Sequence, residues 1–336
     1  MNCRFVCPAC RAPLELANEN WHCGTCGRDY PILWGIPDFR LGPDRYLSLA
    51  DERAKAARLH NFARDHSFAE TLDEYYRITD DVPPDMARRF ADYVHAGEAR
   101  GRLVLDQLAP ETGNLLDIGC GAGGLLMAAA RTGGGATGVD IALRWLVIAR
   151  KRLDEAGLDA DLVCADIYAL PFQDAGYDGI AATDLFEHLA DQPRAAKILR
   201  QQLASGGRLF ATAANQFCLT PHPLAGLWGV GFLPPRFRSR YLIWRRGIDA
   251  LRHANLISPR KLRDILRQSG MEKLKLAPIS VPVTDDIYRT RLQNTAIWLY
   301  TRLRRLPFVR QLMLMTGPAF EISAQAAGSG ATDKKT

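Results

Sequence analysis

The sequence lacks several common signals. It has no basic-then-apolar segment at its start, so no secretory leader is expected. No uninterrupted apolar run reaches the roughly 20 residues that a membrane-spanning helix needs. A strong charge of either sign is missing too. Lys and Arg number 43 against 37 Asp and Glu, a net of +6, which permits anionic partners without demanding nucleic acid. The eight cysteines are not spread as a disulfide framework would spread them, and four fall in two tight pairs. Thiolate pairs of that kind fit a reducing compartment, so a cytoplasmic protein, at most peripheral to a membrane, is expected. What remains is a chain of 336 residues, 47% hydrophobic, long enough for one large domain and one small one.

The small unit comes first, over 1–42. Cys7-Pro-Ala-Cys10 and Cys23-Gly-Thr-Cys26 are two C-x-x-C knuckles, and 11–22 between them suits a short hairpin. Four thiolates so spaced can close a tetrahedral zinc shell, and a closed shell is structural. A redox dithiol accounts for one pair but not for two. Cys3 and His22 are spare donors. The knuckles continue as Gly27-Arg-Asp-Tyr-Pro-Ile-Leu-Trp-Gly-Ile-Pro-Asp-Phe39. With its Tyr-Pro-Ile and Gly-Ile-Pro, this segment resembles the zinc-ribbon family typified by a small activator subunit of RNA and protein methyltransferases. The resemblance implies a module that covers apolar surface on a catalytic domain.

Residues 43–110 read as helical, with one piece over Asp51–Arg64 and another over Asp85–Leu108, parted by Pro83-Pro84. From 111 the pattern changes. Asn114-Leu-Leu-Asp-Ile-Gly-Cys-Gly-Ala-Gly-Gly-Leu-Leu-Met-Ala-Ala-Ala130 starts as a buried strand, breaks into glycines and resumes as helix formers. Such a turn offers bare amides and a positive helix end to a ligand. Gly119, Gly121 and Gly123 let the backbone come close. Glycines alone also fit a dinucleotide fingerprint. Asp117 separates the two, because a carboxylate there would repel a diphosphate but suits the ammonium and sulfonium of S-adenosylmethionine.

Strands at 114–119, 136–140, 161–165, 177–183 and 207–213 alternate with helices near 121–132, 143–156 and 194–204. This predicts an α/β fold, a Rossmann-like parallel sheet with helices on both faces. Ligands in such sheets sit beyond the carboxyl ends of the strands. Those ends carry acids in series. Asp140 can accept both ribose hydroxyls, Asp166 the adenine amine, and Asp184 ends the fourth strand. Ile141 and Ile167 follow two of these acids and can sandwich a purine. Singly, each Asp could be a helix cap. As a set they resemble the class I S-adenosylmethionine-dependent methyltransferases, most closely the branch with the ubiquinone and menaquinone methylating enzymes. The resemblance assigns Asp117, Gly119, Gly121 and Gly123 to the first motif, Asp140 to the ribose and Asp166 to the adenine side. It runs through Ser205-Gly206-Gly207 before the fifth strand, and implies S-adenosylmethionine as cofactor. His188, just past the fourth strand, is the candidate general base; a helix-start histidine bonded to backbone is the alternative. Glu187 is a weaker candidate.

The domain is expected to run over 111–326, with inserts at 216–247 and 285–318 and a small, polar, disordered tail at 327–336. The first insert mixes aromatics with Arg236, Arg238, Arg240, Arg245 and Arg246, and suits an acceptor pocket for a lipid-like or anionic-headed substrate, equally a contact with the phosphate backbone of single-stranded nucleic acid, or a packed lid. A capped helix follows from Ser258 to Gly270, then a sixth strand at 272–280 and an antiparallel seventh at 319–324. The second insert is amphipathic and basic. It can lie on a membrane surface, though packing on the protein's own surface is the favoured expectation. The leading function is methyl transfer to a small-molecule or lipid-like acceptor. An RNA methyltransferase is the first rival, but no Asn/Asp-Pro-Pro-Tyr/Phe stands at the fourth strand, where Asp184-Leu-Phe-Glu is found instead. A non-catalytic adaptor joining a zinc ribbon to a sheet is the second. Oligomeric state is not written in the sequence.

Overall fold

The structure, a computed structural model, describes residues 5–79, 82–108, 113–282 and 291–328. Cys3, the first part of the 285–318 insert and most of the expected tail lie outside the described residues.

The N-terminal unit is a four-stranded antiparallel sheet in the order β1 (Glu15–Ala17), β2 (Asn20–His22), β3 (Asp29–Leu33) and β4 (Ile36–Pro37). Both of its two-residue hairpin turns need left-handed backbone. Asn18 and Glu19 supply it at φ 48° and 62°, Trp34 and Gly35 at 53° and 79°. Here lies the reason for the glycine in Gly-Ile-Pro.

Helices α1 (Leu49–Ala63), α2 (Phe68–Arg77), α3 (Pro84–His95) and α4 (Gly97–Leu108) follow. Ser48 caps α1, and Ser67 with Glu70 forms a capping box on α2. The single helix expected over Asp85–Leu108 is two, broken at Ala96. Periodicity did not reveal the break because its cause is tertiary: Gly97 opens α4 against Gly124 of a later helix.

The large sheet has seven strands: β5 (Leu115–Ile118), β6 (Ala136–Asp140), β7 (Asp161–Cys164), β8 (Tyr177–Thr183), β9 (Leu203–Ala214), β10 (Met271–Pro278) and β11 (Ala319–Ala326). Their order is β10-β11-β9-β8-β5-β6-β7. The block from β9 to β7 is parallel, and β11 runs antiparallel between β9 and β10. Sequence placed the start of β9 at 207, but the strand begins at Leu203. Ser205-Gly206-Gly207 lies inside it, as a shift in register between Tyr177↔Leu203 and Gly179↔Arg208. The crossover helices are α5 (Gly124–Arg131), α6 (Leu143–Glu155) and α7 (Gln192–Gln202). The C-terminal part adds α8 (Pro235–Arg246), α9 (Pro259–Gln268), α10 (Arg291–Leu303) and α11 (Pro307–Thr316).

The small unit closes one edge of the large sheet. The Phe39 amide donates to the Cys164 carbonyl on β7 at 2.8 Å, and Val6 donates to Pro171 at 2.9 Å. Arg11 donates to the carbonyls of Leu170 and Phe172. Phe5 packs at a tilt against both Phe39 and Phe172, so one apolar cluster runs from the small unit into the sheet. An exposed edge strand is a liability, and here it is covered.

On the other side of the sheet's core, α4 crosses α5 at glycine distance. A Cβ on Gly124 would stand 2.6 Å from the Gly97 carbonyl carbon, and one on Gly101 would stand 2.7 Å from the Gly124 oxygen. Gly124→Ala must therefore push the two helices apart. It should destabilise by about 1–3 kcal/mol in urea unfolding, whereas Gly42→Ala, with open space around it, should leave the midpoint nearly unchanged. Equal midpoints for the two variants would refute the close crossing.

Candidate functional site

The strands β5, β6, β7 and β8 end side by side, and a cleft of about 2090 Å³ lies over their carboxyl ends. Strand β5 is flanked by β6 and β8, so the cleft sits where the chain reverses direction across the sheet. Asp117, Gly119, Gly121, Asp140, Ile141, Asp166, Ile167, Asp184 and His188 all line it. Gly123 stands apart: it caps α5 at φ 70°, and a Cβ there would meet Ala149 of α6 at 3.2 Å. Its neighbour Gly124 borders the cleft instead.

The glycine loop is shaped by one carboxylate. The Gly121 amide donates to Asp140 Oδ2 at 3.0 Å, and the Ala142 amide donates to Oδ1 at 2.9 Å. Gly119 and Cys120 both donate to the Val139 carbonyl. Gly119 and Gly121 hold φ 77° and 49°, conformations that a side chain resists. Asp140 thus binds the loop to the second strand. Each of its oxygens keeps a lone pair free for a ligand hydroxyl.

Beneath the loop, Asp117 is 2% exposed and its Oδ1 has no partner among the described residues. Burial, with the Asp140 charge next, pushes its carboxyl up to about 7. Burial also raises Asp140, against the pull of its two amide partners. Asp166 caps a short turn by accepting from the Tyr168 amide at 2.9 Å.

At the end of β8, Asp184 sits at φ 51°, costly for a residue with a Cβ by about 1 kcal/mol. It is held there from three sides. Its amide donates to the Thr212 carbonyl and hydroxyl, its Oδ1 accepts from the Thr212 hydroxyl at 2.8 Å, and Tyr93 of α3 donates to Oδ2. Strain of this kind gathers at functional positions. His188 Nδ1 lies 3.1 Å from the Tyr46 hydroxyl. Burial lowers the imidazole's pKa, and Arg45 adds to that while Asp184 opposes it. The imidazole is therefore held toward its neutral form. Glu187, which sequence ranked below His188, is 1% exposed and lines the same cleft. Its Oε1 accepts from the Ala214 amide at 2.9 Å while Oε2 has no partner among the described residues. Burial and the Asp184 charge push its carboxyl up to about 8.

Helices over 43–110 were expected from the sequence, but the contacts of Tyr93 with Asp184 and of Tyr46 with His188 were not. Tyr75 and Tyr76 of α2 pack on Trp145 of α6, and all three line the cleft.

Away from the cleft, the Sγ atoms of Cys7, Cys10, Cys23 and Cys26 lie within 4.8 Å of one another, with Cys7–Cys26 at 3.6 Å and Cys10–Cys23 at 3.5 Å. A tetrahedral shell with Zn–S near 2.3 Å has edges of about 3.8 Å, so this donor set fits a zinc ion with little movement.

The raised Glu187 has a measurable consequence. Its ordinary pKa is 4.5, so the fold favours its protonated form. That contribution is complete below about 4.5 and is lost as pH rises through about 8. Asp117 acts in the same direction around 7. The melting temperature of the ligand-free protein should therefore fall between pH 6 and 9. Glu187→Gln, which keeps an acceptor for Ala214, should fall less; parallel curves for the two proteins would contradict a buried, protonated Glu187.

Residues 116–211 match the family model described as "Methyltransferase domain". The chain is 35% identical over 103 residues to a ubiquinone biosynthesis O-methyltransferase of Idiomarina loihiensis, covering 30% of this chain and 42% of that protein. It is 25% identical over 203 residues to the Thiobacillus denitrificans protein of the same name, covering 60% of this chain and 82% of that one. A solved structure of Haemonchus contortus phosphoethanolamine N-methyltransferase 2, in complex with S-adenosyl-L-methionine, aligns with 78% of this chain and 60% of its own, at 18% identity and a TM-score of 0.47. The four strand-end acids, the glycine loop and strands β6 to β8 fall within the span that matches this methyltransferase domain model.

Proposed function

We propose that this protein transfers a methyl group from S-adenosylmethionine to a small-molecule or lipid-like acceptor. One observation carries the reading. Four carboxylates, Asp117, Asp140, Asp166 and Asp184, rise from the ends of four adjacent strands around one glycine loop and face one cleft. An unpartnered acid at the cleft floor suits an ammonium or sulfonium and disfavours a diphosphate. Asp140, with two backbone amides already fixed, is poised to accept from a ribose. Asp166, with Ile141 and Ile167 beside it, suits a purine edge and its faces. When bound, the cofactor supplies an activated methyl group. The chain's own contribution is to align the partners and exclude water. The roof of α1 to α4 does the second. His188 is suited to take a proton from a hydroxyl acceptor, since its ring is held toward the neutral form and Tyr46 orients it. The roles of these residues are part of the proposal, as is a domain division at about 42 and 110. The relatives named as ubiquinone biosynthesis O-methyltransferases support an acceptor of small-molecule or lipid-like type. No described helix is long and apolar enough to cross a membrane.

S-adenosylhomocysteine should raise the melting temperature. At a ligand concentration about 100 times its dissociation constant, the gain is about 2.7 kcal/mol. Asp140→Ala should abolish the shift, with its own ligand-free melting temperature as the baseline. An undiminished shift in the variant would move the ribose away from Asp140. No shift in the parent protein would favour the adaptor reading.

The cysteine cluster is proposed to hold one structural zinc ion. Metal analysis of the purified protein should return one zinc per chain. Cys23→Ser should lose it and lower the melting temperature, because the small unit and the β7 edge share one core. A full zinc complement in that variant would dismiss this ligand set.

A further inference from the structure

The C-terminal inserts build a face that the catalytic reading does not use. Helix α8 carries Arg236, Arg238, Arg240, Arg245 and Arg246 and no carboxylate. Residues 291–316 carry five more arginines, again without a carboxylate. The whole chain has a net charge of only +6, so the remainder is net acidic. Arg246 pairs with Asp85 and Arg304 with Glu321; the other eight meet no carboxylate among the described residues.

Apolar side chains stand among these cations, open to solvent. Trp244 is 75% exposed on α8, Leu292 81% on α10 and Phe308 81% on α11. Only Leu242 of α8 and Leu314 of α11 are buried, and none of α10. The described part of 285–318 rests on the protein's own surface by one side only, where Leu314 joins the main core cluster. Polar bonds add to that hold: the Tyr300 hydroxyl donates to the Ile279 carbonyl, and Arg304 donates to Pro278 and Ser280. This holds the helices by one side and leaves the apolar side outward. The tract is continuous. Phe232, just before α8, packs on Phe217 at 5.5 Å, and the Leu219 amide donates to Thr316 at the end of α11. The face also borders the cleft. Ile243 and Arg246 of α8 line it, as do Ile279 and Ser280 at the foot of α10.

We infer that α8, the 217–232 loop and α10–α11 form a docking face for an anionic lipid bilayer, and that the cleft opens beside it. Three properties single out this occupant. Arginines without carboxylates complement anionic headgroups. Exposed Trp, Phe and Leu beside them are the side chains that enter the headgroup boundary. Arginine guanidiniums lie over Trp298, Trp244 and Phe237 at 4.3 to 5.3 Å, so cation and apolar surface are presented together. The inference rests on the lipid-like acceptor reading only for its meaning; docking itself needs neither cofactor nor acceptor.

The test is flotation of the full-length, zinc-loaded protein with vesicles of phosphatidylcholine alone and of phosphatidylcholine with phosphatidylglycerol. Binding to the anionic vesicles is expected at low salt, at least tenfold above the neutral ones, and lost in high salt. Trp298→Ala with Phe308→Ala, and separately Arg302→Gln with Arg305→Gln, should each weaken it at least tenfold. All four side chains are exposed, and an unchanged S-adenosylhomocysteine shift would verify the fold of each variant. No anionic preference, or binding untouched by both pairs, would overturn the inference. So would a stable dimer without vesicle binding that Phe308→Ala dissociates. The ligand shift, measured on the same samples, reports on the methyltransferase reading independently.

Discussion

A carboxylate taken out of water without a cation beside it is the constraint on which the cleft depends. Asp117 and Glu187 are buried and Asp140 half-buried in or beside it, and desolvation raises all three. Arginines stand near, but each is committed elsewhere. Arg40 lies bidentate on Asp38, with Arg53 on the same carboxylate. Arg144 is paired with Glu52 and Asp44. Arg152 has no carboxylate partner among the described residues, yet it points at carbonyls of Val94, His95 and Ala122. Among the described residues, Asp140 accepts from two amides and Asp117 Oδ1 from none. Buried unpaired charge is costly, and burial answers it by favouring the protonated acids; in the proposed reading, a cationic ligand would favour their charged forms.

Those committed arginines also fasten the roof and the ribbon to the sheet. Arg40 donates to the Ile141 carbonyl at 3.3 Å, beside the cleft, while holding Asp38 at the ribbon's exit. Glu52 of α1 accepts from the Arg144 backbone amide at 2.9 Å as well as from its side chain. Arg152 joins the last turn of α3 to the glycine loop, satisfying carbonyls that the helix end leaves open. Buried ion pairs add little net stability, but breaking one strands a charge. Their effect is to fix which surfaces meet. Contact between α4 and α5 supplies the rest, at a separation only glycine permits.

What the sequence revealed was local. Each strand-end acid sits within a few residues of the strand that places it, so spacing alone brought Asp117, Asp140, Asp166 and Asp184 to one edge. The two C-x-x-C knuckles were legible for the same reason. What escaped was contact at long range. Tyr93 reaches Asp184 across 91 positions and Tyr46 reaches His188 across 142. No periodicity encodes either. Glu187 looked weaker than its neighbour because burial is invisible in a sequence. The break between α3 and α4 was hidden because Gly97 has a partner 27 residues on. In α10 and α11 the pattern of apolar and basic residues was plain, but it could not say whether the protein itself would cover them.

Charge is placed unevenly along the cleft: Asp117, Asp140 and Asp184 line it at the strand ends, while Arg89 and Arg246, the latter paired with Asp85, line it near α8. In the proposed reaction a cationic cofactor is drawn to the strand ends and an anionic headgroup toward α8, so neither competes for the other's place. An acceptor entering from the apolar face keeps its tail against that face and needs to present only its reactive group below the rim. The roof formed by α1 to α4 then shields a short gap instead of a whole ligand. Selectivity follows from position: a polar acceptor lacking an apolar tail meets the same acids but finds no hold at the mouth. In the proposed reaction the methyl-accepting atom is the one that a tethered headgroup brings toward Asp184, Glu187 and His188, which fold within the same short turn at the end of β8.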